Sequence, residues 1–255
     1  MGLYTETHIR ADLDELWAHT QDPARHRRWD LLVTELRHLP HVQGEPRPFH
    51  FTARLPPFLA LSGTGVSAGE KERPDGTRTS ALCFSSTHPL GLIAEGAGYW
   101  RYVPDAQGVR FLAGYDYRPR GGAPGAAVDR LLVRPLLRWA TAWSFDRLRL
   151  WLERGITPER ALRNWLAELA VRVLLLTVCL AGLGALEPLL GLFGPFSAAM
   201  AYLCPVLLLA AVCVALFKSP LEGTPAARRC LRAPATQTRA PRLLRALQNR
   251  TEAPV

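Results

Sequence analysis

"GYWRYVPDAQGVRFLAGYDYRP", residues 98–119, sets six aromatic rings around one turn. Its flanks alternate as half-buried strands do, and PDAQG between them is a turn signal. A hairpin this aromatic either fills a core or walls a cavity, and register decides which rings share a face. A four-residue loop opposes Trp100 to Phe111. A five-residue loop opposes Arg101 to Phe111, brings Glu95 opposite Tyr117, and turns Arg101 inward as a cation in need of a ligand carboxylate or oxyanion. Both registers remain open from sequence.

Upstream, Tyr4–Arg10 alternates like a strand, and Asp12 with Glu15 three residues on has capping-box spacing ahead of "LDELWAHTQ". Asp22-Pro23 opens a second short helix, "PARHRRW". Strand-like runs follow at about 32–39, 48–55, 62–73, 77–87, 94–103 and 109–118. In "FHFTARL", Phe49, Phe51, Ala53 and Leu55 share one face. Downstream of the hairpin, a helix of about 28 residues ends at Gly155, with Val128, Leu132, Leu136, Trp139, Trp143 and Leu150 at helical spacing and a kink expected at Pro135. That apolar face is expected to lie on the sheet.

This element order, with "TQDPARHRRWD" after the first helix and "GYWRYVPD" and "GYDYRP" before a Trp-rich last helix, resembles the START-like (SRPBCC, helix-grip) superfamily, particularly its bacterial polyketide cyclase/dehydrase-like proteins. The resemblance covers about residues 1–155. It implies an α+β fold, a curved seven-stranded antiparallel sheet around a long C-terminal helix, with an apolar ligand between them. On that implication Trp100, Phe111, Tyr115, Tyr117, Trp139 and Trp143, with Arg101 in the second register, line a ligand cavity. The resemblance implies no particular chemistry, because the superfamily shares a cavity rather than a catalytic signature.

From Val173 to Phe217 the only charge is Glu187. That length holds two spans of about 20 residues and a turn, expected at about 170–190 and 197–217, with the break at Glu187-Pro188 and Gly194-Pro195 and a kink at Pro205. Arg154, Arg160, Arg163 and Arg172 flank one end, and Lys218, Arg228, Arg229 and Arg232 the other. Both termini are therefore expected in the cytoplasm, with the chain a multi-pass protein of the inner (plasma) membrane. The expected organisation is a ligand-binding domain over 1–155, a helical connector over 156–169, a transmembrane hairpin over 170–217 and a basic, Pro-rich tail over 218–255.

Net charge is +9, yet residues 1–117 hold 12 basic and 14 acidic side chains. The positive excess borders the apolar block, which suits a membrane surface rather than nucleic acid. Arg130, Arg134 and Arg138 recur every four residues beside the spans and are expected at anionic headgroups. In the tail, 219–241 reads as a disordered linker. It leads to "RLLRALQNR", where Leu243, Leu244 and Leu247 share one face while Arg242 and Arg245 lie elsewhere, the pattern of a headgroup-layer helix. A solvated tail fits the same residues.

Five cysteines lack metal-ligand spacing and read as free thiols, with Cys230 beside Arg228 and Arg229 as a weak acylation candidate. MGLYTETHIR has no apolar signal region, and Glu6 breaks the myristoylation pattern. "SGTGVSAGE" opens no helix and carries no Lys, so it is no phosphate cradle. The seven histidines form no ligand set, so no metal or cofactor is expected. His88 is an acid–base candidate only if it reaches Asp116 or Tyr115. Two functions follow: a membrane-tethered module binding a lipid or other hydrophobic small molecule, or a polyketide cyclase/aromatase-type enzyme acting in the same cavity. No protein partner is legible.

Overall fold

The computed structural model describes residues 2–42, 45–55, 59–68, 72–86, 93–190, 197–234 and 241–252. It divides into two compact units, one of residues 1–158 with 226–255 and the other of residues 159–225.

The first unit opens with β1 (Leu3–Ile9), α1 (Leu13–Gln21) and α2 (Pro23–Trp29). Asp12 caps α1 by accepting from the amides of Asp14 and Glu15, at 2.8 and 3.3 Å. Asp22 caps α2, with Pro23 in its first turn. There follow β2 (Val33–His38), β3 (Arg47–Leu55), β4 (Leu59–Ala68), β5 (Arg78–Ser85), β6 (Ile93–Asp105) and β7 (Gly108–Pro119). The strands form one seven-stranded antiparallel sheet in the order β1-β7-β6-β5-β4-β3-β2, curled into a half-barrel with helices.

The aromatic hairpin takes neither expected register. Asp105 pairs with Gly108, leaving a two-residue loop, so Trp100 faces Ala113 and Tyr102 faces Phe111. Gly108 adopts φ 143, and a Cβ there would meet the Ile9 carbonyl oxygen at 2.3 Å. Only glycine closes the turn this tightly against β1. Relative to the four-residue loop the strands slip by two positions, which preserves the faces. Trp100, Phe111, Tyr115 and Tyr117 therefore share the inner face, and Arg101 belongs to the outer one.

After β7 come α3 (Gly122–Val128), a π-helical turn (Asp129–Val133) and α4 (Arg134–Arg154). The widened turn lies directly ahead of Pro135, whose ring would collide with the carbonyl of an ordinary preceding turn. Gly155 ends α4 at φ 63 with an αL cap, its amide donating to the Trp151 carbonyl at 3.1 Å, while Ile156 N donates to Leu150 O at 3.2 Å.

The stripe expected on the sheet is turned away from it. Val128, Leu132 and Leu136 are exposed, and Trp139 and Trp143 lie on the opposite side of α4 from Thr141 and Phe145. The helix is apolar on both sides, so periodicity alone selected the wrong one.

Of the stretch expected as a disordered linker, residues 219–234 make defined contacts, and 235–240 lie outside the described residues. Asp146, fully buried on α4, accepts from the Ala226 amide at 2.8 Å and from Arg229 Nη1 at 2.9 Å, while Arg149 Nε holds its other oxygen at 2.7 Å. Glu6 of the edge strand β1 exchanges two backbone bonds of 2.9 Å with Leu231. Helix α7 (Arg242–Glu252) then lays Leu244 and Leu247 on the outer face of the sheet, against Tyr4, Ala81, Cys83, Ala97, Tyr99 and Leu112. The apolar side read as lipid-facing is thus buried on protein, and Arg242 and Arg245 are exposed. Cys230 is buried too, its thiol donating to the Ala142 carbonyl at 3.2 Å, so it offers no acylation site.

The second unit holds α5 (Pro158–Leu190) and α6 (Ser197–Phe217). The expected connector and first span form one continuous helix. Its segment Pro158–Gly182 is long and apolar enough to cross a membrane, and the described apolar run of α6, Leu203–Phe217, is shorter. Helix α6 continues through Pro205. Arg172 reaches from α5 to the carbonyls of Ala215 and Lys218, at 2.7 and 2.8 Å, capping the end of α6. Glu168 binds Arg172 and accepts from the Leu221 amide at 3.1 Å. The break around Gly194-Pro195 lies outside the described residues.

Candidate functional site

Between α2, α4 and the inner face of the sheet lies a cavity of about 250 Å³. Its wall is mainly apolar, with rings from Phe49, Phe51, Phe84, Trp100, Tyr115 and Phe145 and side chains such as Leu36, Leu82 and Leu137. Four inner-face glycines seat these rings. A Cβ at Gly63, Gly65, Gly96 or Gly98 would come within 2.3–2.7 Å of the ring of Phe51, Phe49, Phe84 or Tyr115, respectively. Each ring therefore lies across a neighbouring strand's bare backbone instead of projecting toward α4, and space remains. Gly63 and Gly65 of "SGTGVSAGE" act as ring seats.

One part of the wall is polar. His26, on α2, donates from Nε2 to Asp30 Oδ2 at 2.9 Å, and its ring stacks on Trp29 at 4.8 Å. Asp30 Oδ1 accepts from the amides of Leu32 and Val33, at 2.8 and 3.4 Å. Trp100 Nε1 donates to the Tyr115 hydroxyl at 2.5 Å. Burial, and next the charge of Asp30, hold the Tyr115 phenol well above its ordinary range. His38, also on the wall, is held below its ordinary range by burial and then by Arg47 and His41. Among the described residues the lining contains no Arg or Lys.

Of the residues singled out in the sequence, Trp100, Tyr115 and Tyr117 line the cavity. Phe111 does not. It is fully buried beside the cavity, stacked on Phe145 at 4.5 Å and on Tyr102 at 5.0 Å. Trp139 and Trp143 stack on each other at 6.2 Å on the far side of α4, where the Arg147 guanidinium lies over Trp143. Arg101 lies over the Tyr99 ring at 5.4 Å, on the outer face. Tyr117 donates to Asp129, which also accepts from Arg134 Nε at 3.2 Å. Burial and that bond raise the Tyr117 phenol to about 12. Arg130 is exposed and Arg138 half-buried. His88 lies outside the described residues.

Of the two histidines at the wall, the one oriented by a carboxylate is His26, within the "TQDPARHRRWD" stretch. The signal was its i,i+4 spacing to Asp30, which sets both side chains on one side of the helix end.

No protein-family model matches the chain. An uncharacterized membrane protein of Bacillus subtilis, YndG, is 43% identical over 163 residues, covering 64% of this chain. The match spans 61% of that relative's length. A STAR-related lipid transfer protein fragment from Xanthomonas axonopodis is similar at 21% identity and TM-score 0.41, covering 51% of this chain and 76% of that one. Human StAR-related lipid transfer protein 5 is similar at 15% identity and TM-score 0.44, covering 60% and 75%. At these scores the likenesses establish neither ligand nor activity for this chain.

Proposed function

We propose that the protein is a membrane-tethered START-like module that takes a lipid or other hydrophobic small molecule into the cavity between α4 and the sheet. The observation that carries this reading is the unfilled, aromatic-walled space of about 250 Å³. An apolar, concave wall of this kind gains contact energy when an apolar molecule occupies it. Ala53 faces the cavity from β3, so Ala53→Phe should fill it. With the full chain in lipid nanodiscs, binding of the neutral fluorophore phenylnaphthylamine above empty discs is expected to fall at least about tenfold in this variant. Wild-type protein that binds no more fluorophore than empty discs would exclude the reading.

The tether is read as two spans. Support comes from the first unit, which holds the chain on either side of residues 159–225. Pro158 accepts from Arg147 Nε at 2.9 Å, and Ala226 donates to Asp146. A folded polar domain stays on one side of a bilayer, so the chain between must cross an even number of times. Above Arg172, residues 173–190 and 197–217 rise about 27 and 32 Å at ~1.5 Å per residue, near the ~30 Å hydrocarbon thickness. The arginine bias favours cytoplasmic termini at the inner membrane. In a cysteine-free background, an impermeant thiol reagent should label a cysteine introduced at Ser197, but not one at Ser219, in intact cells. The reverse pattern overturns the orientation.

Exposed Val128, Leu131, Leu132 and Leu136 with Arg130 support a bilayer contact beside Arg134 and Arg138. Arg242 and Arg245 would add electrostatic attraction alone, their helix's leucines being engaged. One observation favours a second reading, a cyclase-type enzyme: His26 is oriented by Asp30 as a general base would be. His26→Gln should then abolish turnover of a polyketone while fluorophore binding persists.

A further inference from the structure

The apolar wall sets size, but its polar end sets chemistry. We infer that the cavity takes a neutral apolar molecule bearing a carbonyl or hydroxyl oxygen, held by the Tyr115 hydroxyl, and rejects the same chain ending in a carboxylate. The inference rests on the ligand-binding reading above.

Trp100 Nε1 donates to the Tyr115 oxygen at 2.5 Å, which occupies a lone pair and fixes the hydroxyl. Among the described residues no protein atom accepts the Tyr115 proton, and the side chain borders the cavity. The phenol's raised pKa keeps that proton in place at neutral pH, so Tyr115 is a donor awaiting an acceptor. Asp30 is nearly saturated: its two oxygens already receive His26 Nε2 and the Leu32 and Val33 amides. It has little left for a ligand donor, but its charge remains.

An entering carboxylate would meet that charge with no permanent cation to offset it. No Arg or Lys lines the space among the described residues. His38, exposed at the rim, is shifted toward its neutral form by partial desolvation and by Arg47 and His41. His26, protonated or not, is paired to Asp30, so the pair never carries net positive charge. An uncompensated ion in an apolar enclosure is strongly disfavoured. A ketone or alcohol needs only the one hydrogen bond that Tyr115 offers.

Eight-carbon probes that share one chain and differ only at the oxygen-bearing end isolate the polar contact. Octanone, octanol and octanoate would compete with phenylnaphthylamine for the full chain in nanodiscs at neutral pH. Octanone and octanol should displace it at concentrations at least about tenfold below octanoate. Asp30→Asn should narrow that gap to about threefold, and Tyr115→Phe should weaken octanone about tenfold relative to its effect on the fluorophore. Equal displacement by all three probes in the wild-type protein overturns the inference without reference to any variant and leaves the cavity reading standing. So does unchanged octanone affinity in a Tyr115→Phe protein that still holds the fluorophore. Failure of the wild type to bind the fluorophore removes the cavity reading itself, and this inference with it.

Discussion

On its outer face the sheet presents Ala81, Cys83 and Ala97 beneath Leu244 and Leu247 of α7, so large side chains settle where small ones leave room. On its inner face the large side chains belong to the sheet itself. Phe49, Phe51, Phe84 and Tyr115 lie across glycines of adjacent strands, and α4 answers them partly with Thr141 and Ser144, which are too short to fill the gap. One face closes into solid packing and the other stays open, although both are rich in aromatic and aliphatic residues. Composition does not distinguish a core from a cavity. The placement of small residues relative to rings does, since contact is lost wherever neither layer reaches the other.

The largest consequence is a difference in truncation cost between the faces. Leu247, 2% exposed against the outer face, should cost ~2–5 kcal/mol on replacement by alanine, because nothing nearby can fill the void. Leu137→Ala, at the cavity wall, enlarges a space already open and should cost less than half as much. Chemical denaturation of the two variants, followed by tryptophan fluorescence, measures the ratio. Equal costs would mean that the inner face packs as tightly as the outer.

Next in size is an attempt to close the cavity from beneath. A Cβ at Gly98 would stand 2.3 Å from Cδ1 of Tyr115, so Gly98→Ala must push the ring off its seat. Overpacking of this kind costs ~1–3 kcal/mol. The displaced ring turns toward α4, into the space a ligand would use. Loss of fluorophore binding together with that modest destabilisation is the expected outcome. Retained binding at full affinity would mean that the Tyr115 seat does not shape the cavity.

Much of the inner face was legible before the structure. Asp12 and Asp22 announced two helix starts, "FHFTARL" alternated, and any register of even slip turns Trp100, Tyr115 and Tyr117 to one side. Three features were not. The loop was read as longer because PDAQG resembles a turn throughout, whereas strand pairing continues through Pro104 and Asp105 and leaves only Ala106 and Gln107 unpaired. The Trp139–Trp143 stripe was assigned to the sheet because α4 buries residues on both sides, and helical periodicity carries no label for the partner. The same ambiguity hid the docking of α7. Leucines at helical spacing with arginines behind them fit a bilayer or a sheet equally, and only tertiary placement shows that Tyr4, Tyr99 and Leu112 receive them.

The returning chain that leads to that outer packing gives the smallest and most selective test. Cys230 is buried where the chain comes back to α4. Burial first, and then the nearby Asp146 charge, raise its thiol from 9.0 to about 12. The folded state therefore keeps the proton over a range in which the unfolded chain has lost it. Its contribution is fully present below pH 9 and is lost as pH rises toward 12. By about one unit above pH 9 the slope from this one group approaches ~1.4 kcal/mol per pH unit. Buried tyrosines, whose ordinary value is 10.0, add their own loss as pH approaches and passes 10, and they do so equally in the wild type and in a Cys230→Ser variant. Cys230→Ser removes the titrating thiol while keeping a donor for the Ala142 carbonyl. Between pH 9 and 10, wild-type stability should fall more steeply than the serine variant's, which retains only the tyrosine loss. Parallel pH profiles for the two proteins would mean that Cys230 is open to water in solution, and that the segment carrying it does not hold the chain against α4.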